Sequence, residues 1–122
     1  MKLSSGVDII EIERLREAIA RHGERFLNRV FTPVELAEVG GDPASLAVRF
    51  AAKEAVAKAL GTGIGVICWQ EIEVRRGPER QPQLHLYGAA AQLAQQLGLA
   101  HWSISLSHTR EIAIAMAVGA AE

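Results

Sequence analysis

Residues 102–118 read Trp102-Ser103-Ile104-Ser105-Leu106-Ser107-His108-Thr109-Arg110-Glu111-Ile112-Ala113-Ile114-Ala115-Met116-Ala117-Val118. Side chains alternate through both halves of this stretch, the period of two that belongs to a strand with distinct faces. Trp102, Ile104, Leu106 and His108 share one face of the first half, against Ser103, Ser105 and Ser107. In the second half Ile112, Ile114, Met116 and Val118 alternate with Ala113, Ala115 and Ala117. A tight connection between the halves makes a hairpin. Its face of small residues suits the close approach of another element, and burial against other subunits.

Working outward, residues 89–97 form a small amphipathic helix with Leu93 and Leu97, closed by Gly98. Residues 66–75 and 83–87 are strand-like, with 76–82 a loop that carries one glycine and two prolines. A longer helix runs from about Ala44 to Leu60 and stops at Gly61. Before it, Thr32-Pro33-Val34-Glu35 is a helix start, with threonine as cap, proline in the first position and a glutamate to close a capping box. Gly40-Gly41-Asp42-Pro43 is a turn. Residues 11–22 predict a helix with Ile12, Leu15 and Ile19 on one stripe, ended or interrupted by Gly23, and residues 3–10 a short buried strand. The class is α+β: an antiparallel sheet with helices packed on it.

The 122 residues make one domain by size, 1–122, with no repeat or linker to divide it. Hydrophobic residues make up 49% and the formal net charge is −1, so bulk charge favours neither nucleic acid nor a membrane surface. No stretch approaches the ~20 apolar residues that span a bilayer. There is no signal-peptide pattern. The single cysteine, Cys68, excludes an internal disulfide and fits a reducing cytoplasm.

Two acids stand in apolar settings. Asp8 lies in Gly6-Val7-Asp8-Ile9-Ile10, and Glu54 in Arg49-Phe50-Ala51-Ala52-Lys53-Glu54-Ala55-Val56-Ala57-Lys58. An ionised carboxylate is rarely placed in an apolar element without a partner. Asp8 either caps the following helix, as aspartate prefers to do, or ligates something. Glu54 and Lys58 are spaced i,i+4 with the acid first, the order of a surface ion pair. The alanines around them instead point to a tightly packed helix on which Glu54 needs a stronger partner. Two such acids with lysines beside the second suggest a hard metal ion next to phosphate.

Other constellations are weaker. Gly61-Thr62-Gly63-Ile64-Gly65 is either a phosphate-cradling loop or an ordinary turn after a helix C-terminus, where the dipole disfavours anions. His108 ends a strand, and its neighbour Ser107 points to the opposite face, which argues against a serine–histidine nucleophile pair. The four histidines are scattered, with no zinc-ligand spacing. Arg14, Arg21 and Arg25 fall on one face if helicity persists through Gly23, with Arg29 nearby. That face is either merely solvated or a dock for an acidic partner.

Taken in order, Gly6-Val7-Asp8-Ile9, Phe26-Leu27-Asn28-Arg29-Val30-Phe31-Thr32 with Glu35, Arg49-Phe50-Ala51-Ala52-Lys53-Glu54-Ala55 with Lys58, Gly61–Gly65, and Ser105-Leu106-Ser107-His108-Thr109 cover nearly the whole chain. Together they resemble the holo-[acyl-carrier-protein] synthases, the small bacterial type of 4′-phosphopantetheinyl transferase. Arg75–Gln83 is the least family-like segment. The resemblance implies the fold of that family and transfer of 4′-phosphopantetheine from coenzyme A to a serine of apo-acyl carrier protein, in fatty acid biosynthesis. It implies Asp8 and Glu54 as magnesium ligands and Lys58 as the pyrophosphate-binding lysine, with Glu54 and Lys58 catalytic. Arg49, Gly61, Gly63, Gly65, His108 and Thr109 would line the coenzyme A cleft, and Arg14, Arg21 and Arg25 would receive the acidic carrier protein. It also implies a cytoplasmic homotrimer with a cleft at each interface, where His108 serves a neighbour's Asp8 and Glu54. The serine proton would go to Glu54 directly or through a magnesium-bound water. The competing readings are a binding module without turnover and a structural oligomer whose acids only cap helices and pair with lysines.

Overall fold

The hairpin forms where the alternation places it. In the computed structural model, which describes residues 1–122, β4 (His101–His108) and β5 (Ile112–Ala121) pair antiparallel, with Ser105 opposite Met116 and Leu106 opposite Ala115. The first strand, β1 (Lys2–Glu11), pairs along the other side of β5 and sets Asp8 opposite Ala115. The sheet order is therefore β1-β5-β4. A separate ribbon is made by β2 (Ile72–Arg76) and β3 (Pro82–Leu86). The helices are α1 (Ile12–His22), α2 (Glu24–Val30), α3 (Pro33–Val39), α4 (Pro43–Leu60) and α5 (Gly88–Leu97). No helix is long and apolar enough to cross a membrane.

The alanine face of the hairpin is covered from within the same chain. Ala113, Ala115 and Ala117 are buried beneath α4, whose own Ala51, Ala52, Ala55 and Ala59 are buried too. That overturns the expectation that these alanines meet other subunits. Small residues on both partners let helix and sheet approach closely, and the larger Ile114 and Met116 point outward and stay exposed. The approach is closest at Gly6, where a Cβ would overlap the carbonyl oxygen of Ala55. Ser4 Oγ donates to the carbonyl of Ala59 one turn further along.

Two apolar clusters flank this contact. One gathers α4, α5 and the two strand pairs around Val56, Leu60, Ile67 and Ile72. The other packs α1, α2 and α3 around Phe31, Leu46 and Leu15. Between them lies a buried polar knot. The capping box of α3 is closed by Thr32 and Glu35, whose carboxylate accepts from Thr32 N at 2.9 Å. Its other oxygen accepts from Val74 N at 2.8 Å, tying α3 to β2. Lys53 Nζ lies 2.8 Å from Glu35 Oε1 and donates to the carbonyls of Trp69 and Ile72, so a fully buried ammonium has all its protons placed. Burial holds the Lys53 pKa below the ordinary lysine value against the pull of Glu35.

Three details differ from the sequence reading. Asp8 caps nothing: β1 runs on to Glu11, which takes the N-cap position of α1 without a side-chain bond. Gly23, at φ 56 and ψ −136, breaks the helix into α1 and α2, so Arg14 and Arg21 stand on one helix and Arg25 on the next. Residues 66–71 are not strand; a 3₁₀ turn occupies Trp69–Glu71. There the Glu71 carboxylate accepts from Cys68 N at 2.7 Å and Ala89 N at 2.5 Å, curling the chain before β2 begins.

The contact at Gly6 makes a direct prediction. Gly6→Ala should destabilise the fold by about 1–3 kcal/mol or more, because both atoms that must move are backbone. Thermal or urea unfolding measures this, and an unchanged midpoint would contradict the packing described.

Candidate functional site

Asp8 shares the inner face of β1 with Gly6 and Ile10, the face on which α4 lies. Because Gly6 lets α4 down onto the strand, the helix residues one turn apart at 54 and 58 arrive beside Asp8. Lys58 Nζ lies 3.2 Å from Asp8 Oδ1 and donates to the Val7 carbonyl at 2.9 Å. The Asp8 side chain is 20% exposed and that of Lys58 51%. Glu54 is half-buried. Burial first, and the Asp8 charge second, raise its pKa above the ordinary glutamate value, while Lys58 pulls the other way.

Asp8 and Glu54 open into a cleft of about 420 Å³ between β1, α1, α2 and α4. Arg14 sits on its wall, and Leu15, Ala18, Phe26 and Phe50 give it an apolar lining. Phe26 and Phe50 stack with ring centroids 6.4 Å apart. The sequence reading named the charged members and missed the aromatic ones. Their signal was the i,i+4 spacing of Phe50 and Glu54 on α4.

The glycine loop is a helix stop. Gly61 is left-handed at φ 84, and the amides of Gly61 and Gly63 donate to the carbonyls of Lys58 and Ala57. The Gly65 amide donates to Ile67 O at 3.0 Å. These three N–H groups are engaged and point at carbonyls rather than at a ligand. What the loop contributes is a sharp exit from α4 just past Lys58.

Arg49 does not join the acids. Five residues before Glu54 on the helix, it projects to another side, where it is buried and bonds Val74 O at 3.2 Å and Glu38 at 3.2 Å. It borders a second cleft of about 300 Å³ with Arg75, Arg76, Arg80 and Ser105. This basic cluster comes from the hairpin around residues 76–82, which the sequence reading treated only as a loop. His108 and Thr109 are also apart from Asp8. They lie at the β4–β5 turn with β5 between them and β1, two strand spacings or roughly 10 Å across the sheet. His108 is exposed, with Nδ1 3.1 Å from Thr109 O. Arg21 and Arg25 are exposed, on α1 and α2, and do not line this cleft.

The donor set defines which metal would suit the acids. No group of three or more His, Cys, Asp or Glu side chains comes together, so a metal here would have two carboxylates of this chain and take its other ligands from water or substrate. Two carboxylates at an open cleft fit magnesium, which takes one or two carboxylates, keeps several waters and completes its shell from phosphate oxygens. Burial, and after it the Asp8 charge, make the ionised form of Glu54 costly in spite of Lys58, and a cation at the two carboxylates would relieve that cost.

Residues 4–117 match the family described as the 4′-phosphopantetheinyl transferase superfamily. A holo-[acyl-carrier-protein] synthase of Herpetosiphon aurantiacus is 48% identical over 96% of this chain and 98% of its own length. One from Dehalococcoides mccartyi strain CBDB1 is 54% identical over 95% of this chain and 97% of its own. The crystal structure of the Helicobacter pylori holo-[acyl-carrier-protein] synthase in complex with coenzyme A superposes with a TM-score of 0.87 at 31% identity, covering 95% of this chain and 99% of that one. The chain belongs to the 4′-phosphopantetheinyl transferase superfamily.

Proposed function

We propose that this chain transfers 4′-phosphopantetheine from coenzyme A to a serine hydroxyl of apo-acyl carrier protein, releasing adenosine 3′,5′-bisphosphate, as a cytoplasmic step that serves fatty acid biosynthesis. The observation that carries the reading is the meeting of Asp8, Glu54 and Lys58 at one cleft. The serine oxygen forms a bond to the phosphorus that carries pantetheine, and the bond from that phosphorus to the nucleotide's bridging oxygen breaks. Glu54, with its raised proton affinity, accepts the serine proton. Lys58, on a flexible half-exposed stem, meets the charge that builds on the leaving phosphate. Magnesium held by Asp8 and Glu54 would neutralise the pyrophosphate and steady it for in-line attack. The apolar wall of Leu15, Phe26 and Phe50 excludes water beside the reacting group.

The working unit in this reading is a homotrimer. The outward face of the sheet carries an apolar band with Val7 at 52% exposure, Ile9 at 63% and Met116 at 49%, the kind of surface a partner subunit would cover. Arg49, His108 and Thr109 cannot reach Asp8 of their own chain, so a second subunit supplies them. The carrier protein docks on Arg14 and Arg21 of α1 and Arg25 of α2, local positive charge on an otherwise nearly neutral chain.

Three outcomes test this. Asp8→Asn and Glu54→Gln should each lower transfer on the order of 10²–10⁴-fold, followed by mass spectrometry of apo-acyl carrier protein with coenzyme A and magnesium. Glu54→Gln has a second readout. A carboxyl whose folded pKa is raised stabilises the fold below its unfolded pKa and loses that contribution as pH rises through the folded value. Metal-free Glu54→Gln should therefore melt higher than the parent at neutral pH, and the gain should vanish once the medium is acid enough to protonate glutamate in both states. Turnover close to the parent's in either variant would remove the acids from the site.

Light scattering should give three times the chain mass. Mixing inactive Glu54→Gln with inactive His108→Ala subunits should restore part of the activity, since some mixed clefts then hold both parental residues. No restoration would place the whole site within one chain.

Arg21→Glu should raise the KM for the carrier protein by about 3–10-fold and flatten its salt dependence, leaving coenzyme A affinity unchanged. An unchanged KM would make this face merely solvated.

A further inference from the structure

The acidic pair is served by one ammonium, and served unequally. Lys58 Nζ contacts Asp8 Oδ1 at 3.2 Å, while Glu54 has no ion-pair partner. The ammonium is held twice, by the carboxylate and by the Val7 carbonyl at 2.9 Å. It thus sits against the edge of β1, at the carboxylate that the magnesium reading assigns to the metal. Arg14 lines the same cleft without making an ion pair, so Lys58 is the one cation in contact with either acid.

A divalent ion that ligates Asp8 while Lys58 remains must share one carboxylate with a like charge a few ångströms away, which is strongly repulsive in a partly buried site. A pyrophosphate removes the conflict, because it offers the ammonium another anion. The half-exposed lysine stem leaves room for the swing. We propose that Lys58 is the resident counter-cation of Asp8 and is drawn off by the incoming pyrophosphate, so that metal and nucleotide load this site as one coupled event. The proposal rests on the magnesium reading above.

The test is a set of magnesium-binding isotherms by calorimetry, with no carrier protein and no turnover. Parent and Lys58→Met are each titrated alone, with coenzyme A, and with adenosine 3′,5′-bisphosphate, which carries phosphates but no pyrophosphate. Lys58→Met keeps the length of the side chain, and thermal unfolding checks that the variant is folded. Without nucleotide, Lys58→Met should bind magnesium about 3–10-fold tighter than the parent. The coupling factor is the ratio of magnesium Kd without coenzyme A to that with it, and it is the same free energy read from either ligand. It should be larger in the parent than in Lys58→Met by a similar factor, and adenosine 3′,5′-bisphosphate should show no such difference. A lysine that stays in place repels the metal equally in both states, so it would leave the two coupling factors equal. Equal factors overturn the proposal while the metal site stands. If neither protein binds magnesium, even with coenzyme A, the metal reading itself fails and the proposal falls with it.

Discussion

At Gly6 the backbone of β1 comes so near the Ala55 carbonyl that no side chain fits between them. That contact sets the height of α4 above the sheet, and the height sets the site. Glu54 precedes Ala55 and Lys58 follows it by three positions, so a helix lifted by one methyl group would carry both away from Asp8. The alanines on α4 and β5 serve the same end. Each contributes little apolar area, yet together they remove the bulk that would hold helix and sheet apart. Alanine also favours the helix itself. Twelve of the eighteen residues of α4 are buried, so the helix is enclosed nearly all round, and its half-buried Glu54 and exposed Lys58 mark where the enclosure opens.

Lys53 and Glu54 are adjacent, and their fates show how a helix divides its work. Successive residues point about 100° apart. Lys53 turns into the core, where Glu35 and two carbonyls take its three protons. Glu54 turns toward the cleft, where burial and Asp8 leave it short of compensation. A buried pair of this kind adds little net stability, but removing one partner strands the other. Its consequence here is geometric. Lys53 grips the carbonyls of Trp69 and Ile72, Glu35 grips the amide of Val74, and α3, α4 and β2 are locked in rotation as well as in distance. Glu73 extends the lock. Burial would raise its pKa, but bonds from Thr32, Arg75 and Tyr87 hold it down.

What the sequence revealed was what local chemistry decides. The capping box at Thr32–Glu35, the stop at Gly61 and the alternation of 102–118 depend on neighbours within a few residues. The break at Gly23 was visible as an alternative but not as an outcome, because glycine permits both continuation and a break at positive φ. Residues 66–71 are rich in strand-formers, yet Glu71 reaches back to Cys68 and forward to Ala89 and curls them. The alanine face was legible as a packing surface, but periodicity does not name the partner, and the partner is α4. Arg49 and Glu54 look like one motif in sequence and part on the helix surface. The Lys53–Glu35 pair joins residues eighteen positions apart on two helices, a separation no local pattern reports.

The same sheet carries the argument for the proposed assembly. In the order β1-β5-β4, Asp8 and His108 stand on the outer strands with β5 between them. No rotamer closes a gap set by two strand spacings. The inner face cannot help, since α4 fills it. The outer face carries Val7, Ile9, Ile114 and Met116 beside the serines of β4, and this is where a chain with a modest core has apolar surface left to bury. In the proposed assembly one event therefore does two things. It covers the apolar band, and it brings the turn of one sheet to the acids of the next. The surface that destabilises a lone subunit is then the surface that completes the cleft, and the stability of the fold and the competence of the site become one equilibrium.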